Sequence, residues 1–232
     1  MELIGQGIVE ALRRLAALDP DVLEAAGTSL QVSGAAVLLS LAAGLPAGVA
    51  LALASFRGRR ALLALVNTGM GLPPVVVGLF VAVLVWRSGP LGSLDLFCSR
   101  AAMIAAQFVI AVPEVVGLTV VAVQALDPLL RVQLRALGAT GSQLLLLLVQ
   151  EARLPLLTAG MAAFGAVISE IGASLLVGCN IKGDTRILTT AIVLEASKGE
   201  FGAAFALAAI LLALLFFINA SITWVQQRPR PL

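Results

Sequence analysis

Five long windows that are free or nearly free of charge constrain this sequence more than any other feature. Residues 25–56, 61–86 and 201–227 carry no charged side chain, 101–126 carry only Glu114, and 154–181 only Glu170. A helix of about 20 apolar residues crosses the hydrocarbon core of a bilayer, so each window is long enough to span with some tilt. The competing reading of any one window is a helix buried in a large soluble core. With 60% hydrophobic and 12% charged residues among 232, the chain lacks the polar shell that five such helices would need. The expected fold is an all-α integral membrane protein of about five transmembrane helices, placed at about 27–55, 61–86, 101–125, 154–178 and 201–225.

The same residues exclude several classes of function. A formal charge of +2, with no basic run and no aromatic-interleaved patch, speaks against nucleic acid. Histidine is absent and the two cysteines, Cys98 and Cys179, have no CxxC spacing, which argues against structural zinc, any resident metal and His-based hydrolase chemistry. Both cysteines fall toward one side of the membrane. That leaves a disulfide open, but the sequence favours two separate membrane-facing thiols.

Outside the spans the chain is economical. Residues 1–24 form an N-terminal segment in which Ile4, Ile8, Leu12 and Leu15 recur at helical spacing while Glu10, Arg13 and Arg14 fall between them, as in an amphipathic helix lying at the interface. A plain solvated helix fits the same pattern. The membrane domain occupies 25–227, a polar segment 127–153 interrupts it, and 228–232 form a short tail. The stretch 136–150 is uncharged yet short for a crossing, and reads as interfacial or as the start of a helix. The basic residues Arg57, Arg59, Arg60, Arg131, Arg135, Arg153, Arg228 and Arg230 would share one side if the N-terminus is outside, which places the C-terminus in the cytoplasm.

Several residues inside the windows carry chemistry. Pro46, Pro73, Pro74 and Pro113 each remove a backbone donor that neighbouring helices or water must compensate, so they mark helices that line something, with ordinary membrane-helix proline as the alternative. Glu114 and Glu170 are the ionisable groups deep in their windows, where charge is expensive; proton relay is one reading. Glu170, among Ser169, Gly172, Ala173 and Ser174, fits a bundle-facing hydrogen bond equally well, and as a carboxylate it would repel an anion. The polar interruption from Gly178 to Ile192 gathers what an oxyanion needs: hydroxyls of Thr185, Thr189 and Thr190, the charges of Lys182 and Arg186, Asn180, and a turn at Gly183 before a helix start. A Gly-Asp turn capping a short helix would use the same residues.

The segment from Asp127 to Pro155 makes a resemblance specific. Arg131, Val132, Gln133, Leu134, Arg135, Ala136, Leu137, Gly138, Ala139 and Thr140, followed by a leucine run and Leu154-Pro155, resemble the cytoplasmic coupling helix of ABC-importer permeases. Gly138 matches that family's glycine and Pro155 its trailing proline, while Val132-Gln133-Leu134 departs from its Glu-Ala-Ala. Asp19-Pro20-Asp21, Gly71-Leu72-Pro73-Pro74-Val75, Ser88-Gly89-Pro90, Ala106-Gln107, Glu170-Ile171-Gly172, Asn180-Ile181-Lys182-Gly183 and Thr185-Arg186-Ile187-Leu188-Thr189-Thr190 narrow the resemblance to permeases of the tungstate type, within the molybdate, sulfate and tungstate group. Cys179 and Leu175-Leu176 depart from it.

The resemblance implies a MetI-like permease fold and a channel-forming subunit without catalysis of its own. It implies a second copy of the chain, a cytoplasmic ATPase dimer that binds ATP and Mg and docks on Arg131–Thr140, and an extracytoplasmic oxyanion-binding protein, all in a prokaryotic inner membrane. Pro73, Pro74, Pro113, Glu170, Asn180, Lys182, Thr185, Arg186, Thr189 and Thr190 are then the expected pathway or gate residues. Tungstate is the implied cargo, with molybdate or sulfate as alternatives. A proton-coupled carrier using Glu114 and Glu170, or a membrane scaffold without transport, are the competing classes.

Overall fold

The computed structural model describes Val9 and residues 19–227. Most of the expected interfacial helix over 1–24, and the tail 228–232, lie outside the described residues. The fold is all helical. Among the described residues ten α-helices follow in order: α1 (Pro20–Leu53), α2 (Arg59–Met70), α3 (Pro74–Val85), α4 (Arg100–Gln124), α5 (Pro128–Ala136), α6 (Gly141–Glu151), α7 (Arg153–Ile168), α8 (Gly172–Gly178), α9 (Leu188–Ser197) and α10 (Phe201–Gln226).

Local chemistry sets where these helices begin. Asp19 accepts a hydrogen bond from the Asp21 backbone N–H at 3.0 Å and Pro20 occupies the first helical turn, where its missing donor costs nothing. The same arrangement recurs at α5, where Asp127 accepts from Leu129 N at 2.8 Å ahead of Pro128. Ser99 caps α4 through Ala102 N. Thr140 and Gln143 form a reciprocal capping box at α6.

Three helices, Pro20–Leu53, Arg100–Gln124 and Phe201–Trp224, are long and apolar enough to cross a membrane unaided. Two bent pairs bring the number to five if each is one span: α2 with α3, bent by 98°, and α6 with α7, bent by 67°. The window 61–86 is therefore no straight rod. It breaks at Gly71-Leu72-Pro73, where Pro73 and Pro74 stand at the start of α3 and cannot donate to a continuing helix. Pro46 and Pro113, by contrast, sit inside continuous helices.

The bundle is organised on α4. It packs along α1 through a seam of small residues, Ser40, Gly44 and Gly48 against Ala111, Val115 and Thr119, and it also meets α2, α3, α7 and α8. In lipid the drive for such contacts is close packing rather than removal of apolar surface from water, which is why small residues hold the seam. α9 and α10 pack on each other and close the bundle against α1 and α7.

The structure corrects one reading of the sequence. Cys98 and Cys179 are not separate thiols but a disulfide, with Cα atoms 5.1 Å apart. Both residues hold left-handed backbone, φ 60° and 61°, at the ends of neighbouring loops, and Cys98 N donates to Val177 O at 3.0 Å. That local turn chemistry brings side chains 81 residues apart in sequence into bonding reach.

Candidate functional site

Two helix breaks lie side by side, both largely exposed except for a buried Glu170. The first, at residues 71–73, separates α2 from α3; the second, at 169–171, separates α7 from α8. They are pressed together so closely that a methyl group on Gly78 would collide with the backbone of Ala173, and one on Gly172 with the side chain of Val75. Non-helical backbone at membrane depth survives only where protein or a water-filled path surrounds it. Glu170 lies at this junction, 9% exposed, and its Oε1 accepts from Ala173 N at 2.8 Å, satisfying an orphan donor in the first turn of α8. The Glu170 backbone carbonyl accepts from Thr189 Oγ1 at 3.1 Å, linking the break to α9. Pro113, half-buried on α4, abuts the last turn of α2 at Gly69.

The polar segment after α8 is tied down residue by residue. Thr185 is fully buried; its hydroxyl donates to Gly178 O and accepts from Ile181 N at 2.9 Å, so it closes the loop on itself. Thr190 Oγ1 accepts from Ile187 N at 3.1 Å and donates to Ile187 O at 3.0 Å. Arg186, half-buried, donates from Nε and an Nη to the side-chain and backbone oxygens of Asn180 at 3.2 and 3.3 Å. Lys182 pairs with Asp21 of α1 at 2.6 Å, both exposed. The helix start expected soon after Gly183 comes instead at Leu188, and its donor is already taken, since Leu188 N bonds Ser29 Oγ at 2.9 Å.

The predicted residues thus fall into three places. Pro73, Pro74 and Glu170 come together at the paired breaks, with Thr189 one hydrogen bond away. Asn180, Lys182, Thr185, Arg186 and Thr190 form the loop at one end of the bundle. Arg131, Arg135, Ala136, Leu137, Gly138, Ala139 and Thr140 lie at the opposite end. In this conformation the three threonine hydroxyls face protein oxygens and amides, not an open path.

Residues that the sequence presented only as span boundaries complete the loop. Arg100, at the start of α4, donates to Asp184 O at 2.7 Å, pairs with its carboxylate at 3.2 Å, and reaches Gln31 Oε1 on α1 at 2.7 Å. Their signal was an Arg and an Asp at the edges of apolar windows, which length-counting treats as punctuation. Deeper in, Gln107 Nε2 donates to Ser174 Oγ at 3.2 Å across α4 and α8, while Gln107 Oε1, Ser33 Oγ and Thr119 Oγ1 are buried without a partner among the described residues.

The opposite end is bare. α5 has no buried residue and packs chiefly on α6; Leu129, Val132 and Leu137 are 62%, 63% and 84% exposed. Gly138, at φ 84°, makes the turn between α5 and α6 in a conformation that a side chain resists.

Comparison with known proteins agrees with this architecture. The model of the family described as binding-protein-dependent transport system inner membrane component matches residues 44–231. A probable anion ABC transporter permease protein of Haloferax volcanii is 46% identical over 83% of this chain and 85% of its own length. The tungstate uptake system permease protein TupB of Peptoclostridium acidaminophilum is 35% identical over 98% of this chain and 100% of its own. Among solved structures, an inward-facing MetNI methionine ABC transporter aligns with a TM-score of 0.66 at 20% identity, covering 89% of this chain and 93% of the other. The fold is that of the MetI-like permeases.

Proposed function

The chain belongs to the binding-protein-dependent transport system inner membrane components, and we propose that it is the membrane-spanning subunit of an ATP-driven importer for a tungstate-type oxyanion. The observation that carries this reading is the bare α5–Gly138–α6 hairpin. It presents three large apolar side chains together with Arg131 and Arg135 at one end of the bundle. Such a short helix, held between membrane helices, suits a cytoplasmic ATPase that reshapes its contact on binding ATP and passes the change on as rigid-body motion. ATP and Mg belong to that partner; the chain itself is a permease and not an enzyme.

The near full-length likeness to a tungstate uptake permease supports tungstate as cargo, with molybdate and sulfate as the related dianions to test against it. Two copies form the pathway, and a binding protein delivers the anion from outside. The end bearing the Cys98–Cys179 disulfide is the outer one, because disulfides persist in oxidising compartments. Gln226, near the end of α10, bonds Thr158 at the start of α7, on the hairpin's side, which supports a cytoplasmic C-terminus. The paired breaks at 71–73 and 169–171 are the gate in this reading, with Lys182 and Arg186 at its outer approach and the buried threonines holding the loop that carries them.

Purification in mild detergent from cells that also express the encoded ATPase and binding protein tests the proposal. Copurification of an ATPase whose turnover rises with binding protein loaded with tungstate, and rises less with molybdate or sulfate, is the expected outcome. A lone protein without associated ATPase overturns it.

A further inference from the structure

On the flank away from the paired breaks, α1, α7 and α10 enclose an open groove of about 640 Å³. Gly34, Leu41, Leu157, Phe164, Ile218 and Ile222 form its walls, and it is apolar throughout except at one end, where Arg153 lines it. Along α1 it runs from Gly34 to Leu45, about 17 Å at the rise of an α-helix. Arg153 begins α7 and forms no hydrogen bond or ion pair among the described residues. Glu151, two positions earlier, is exposed and likewise unpaired.

The level of Arg153 is the level at which the bundle turns polar. Gln226 Nε2 donates to Leu154 O at 3.5 Å there, and Trp224, two residues earlier on α10, is 67% exposed, as aromatic residues at a headgroup boundary are. A long apolar channel therefore descends into the hydrocarbon from a guanidinium held at headgroup depth. Guanidinium matches the geometry of a phosphate, and basic positions between membrane helices select anionic headgroups.

We propose that this groove is a lipid site, taking one acyl chain of an anionic phospholipid with its phosphate on Arg153. The headgroup supplies the charge that Arg153 lacks within the chain, and the acyl chain fills a cleft that helix packing leaves open.

Native mass spectrometry of the full chain in detergent, titrated with phosphatidylglycerol or phosphatidylcholine, tests it. The expected result is one phosphatidylglycerol retained per chain, at least tenfold tighter than phosphatidylcholine. Arg153→Gln should bind the two lipids equally. Gly34→Leu, whose new side chain enters open space in the groove, should weaken both at least tenfold with the thermal transition unchanged. Equal binding of the two lipids by the wild type, an unaltered preference in Arg153→Gln, or lipid retained by Gly34→Leu would overturn the proposal. So would a dimer that becomes monomeric in Gly34→Leu with its lipid count unaltered, which would assign the groove to a second copy.

Discussion

The two ends of this molecule are built on opposite plans. At the disulfide end, the segment 177–190 is fastened to three other elements: Cys179 to Cys98, Asp184 to Arg100 at the head of α4, and Lys182 and Leu188 to α1. At the hairpin end, α5 has nothing buried and holds its leucines and valine outward. A pinned loop resists displacement, whereas an uncovered apolar helix is a surface awaiting a partner. The contrast locates mobility. Force applied at the hairpin reaches the paired breaks through α6, α7 and α4 before it meets the fastened loop at the disulfide end.

The largest expected effect follows from Gly138→Leu. A left-handed backbone costs a side-chain-bearing residue about 1–2 kcal/mol, and relieving that strain re-aims α5 relative to α6. Oxyanion uptake by cells should fall at least tenfold while the amount of protein in the membrane, read by immunoblot, stays near wild type. Unchanged uptake would mean that the hairpin is not the contact through which ATP hydrolysis is coupled.

Next comes the covalent fastening. Replacing Cys98 and Cys179 together by serine should lower stability by about 2–4 kcal/mol, seen as an earlier thermal transition in detergent, because the bond closes a long loop in the unfolded chain. Reductant should shift the wild type the same way and the double variant not at all. Maleimide labelling of both thiols without prior reduction would erase the contrast between the ends.

Much of this was open to reading in the sequence, and the gaps have physical causes. Apolar windows report burial in lipid but carry no direction, so the 98° bend between α2 and α3 was invisible in length even though Gly71-Leu72-Pro73-Pro74 marked the place. Gly138 was legible because it stands where the resembled permeases carry a glycine between two short helices, and it holds the left-handed turn there. The disulfide was not, because it depends on positive φ at two cysteines in separate loops, which no spacing rule encodes. The threonines were found but their partners were not: a hydroxyl that could hold an anion and one that closes its own loop look alike until the backbone around Gly178 and Ile181 is placed.

Arg186→Ala gives a smaller effect than either change above. Its two bonds to Asn180 are charge-assisted, each worth about 1.5–3 kcal/mol in a protected site, and Asn180 itself holds left-handed backbone that those bonds support. Uptake should fall about fivefold to tenfold with protein amount nearly unchanged, the signature of a loop that has lost its shape at the disulfide end. Parallel loss of uptake and of folded protein would assign Arg186 to stability alone.

The smallest effect is expected for Lys182 and Asp21. Their contact is short, 2.6 Å, but both side chains are more than half exposed, so water screens the attraction and the long lysine loses entropy in making it. A double-mutant cycle with Lys182→Met and Asp21→Asn should return a coupling below about 1 kcal/mol, and that value should shrink further as salt is raised. This loop would then owe its rigidity to the disulfide and to the buried hydroxyls of Ser29, Thr185 and Thr190, with the surface charges setting only its register. A coupling above about 2 kcal/mol would reverse that order, making the disulfide end an electrostatic clasp that high salt can open while the disulfide remains intact.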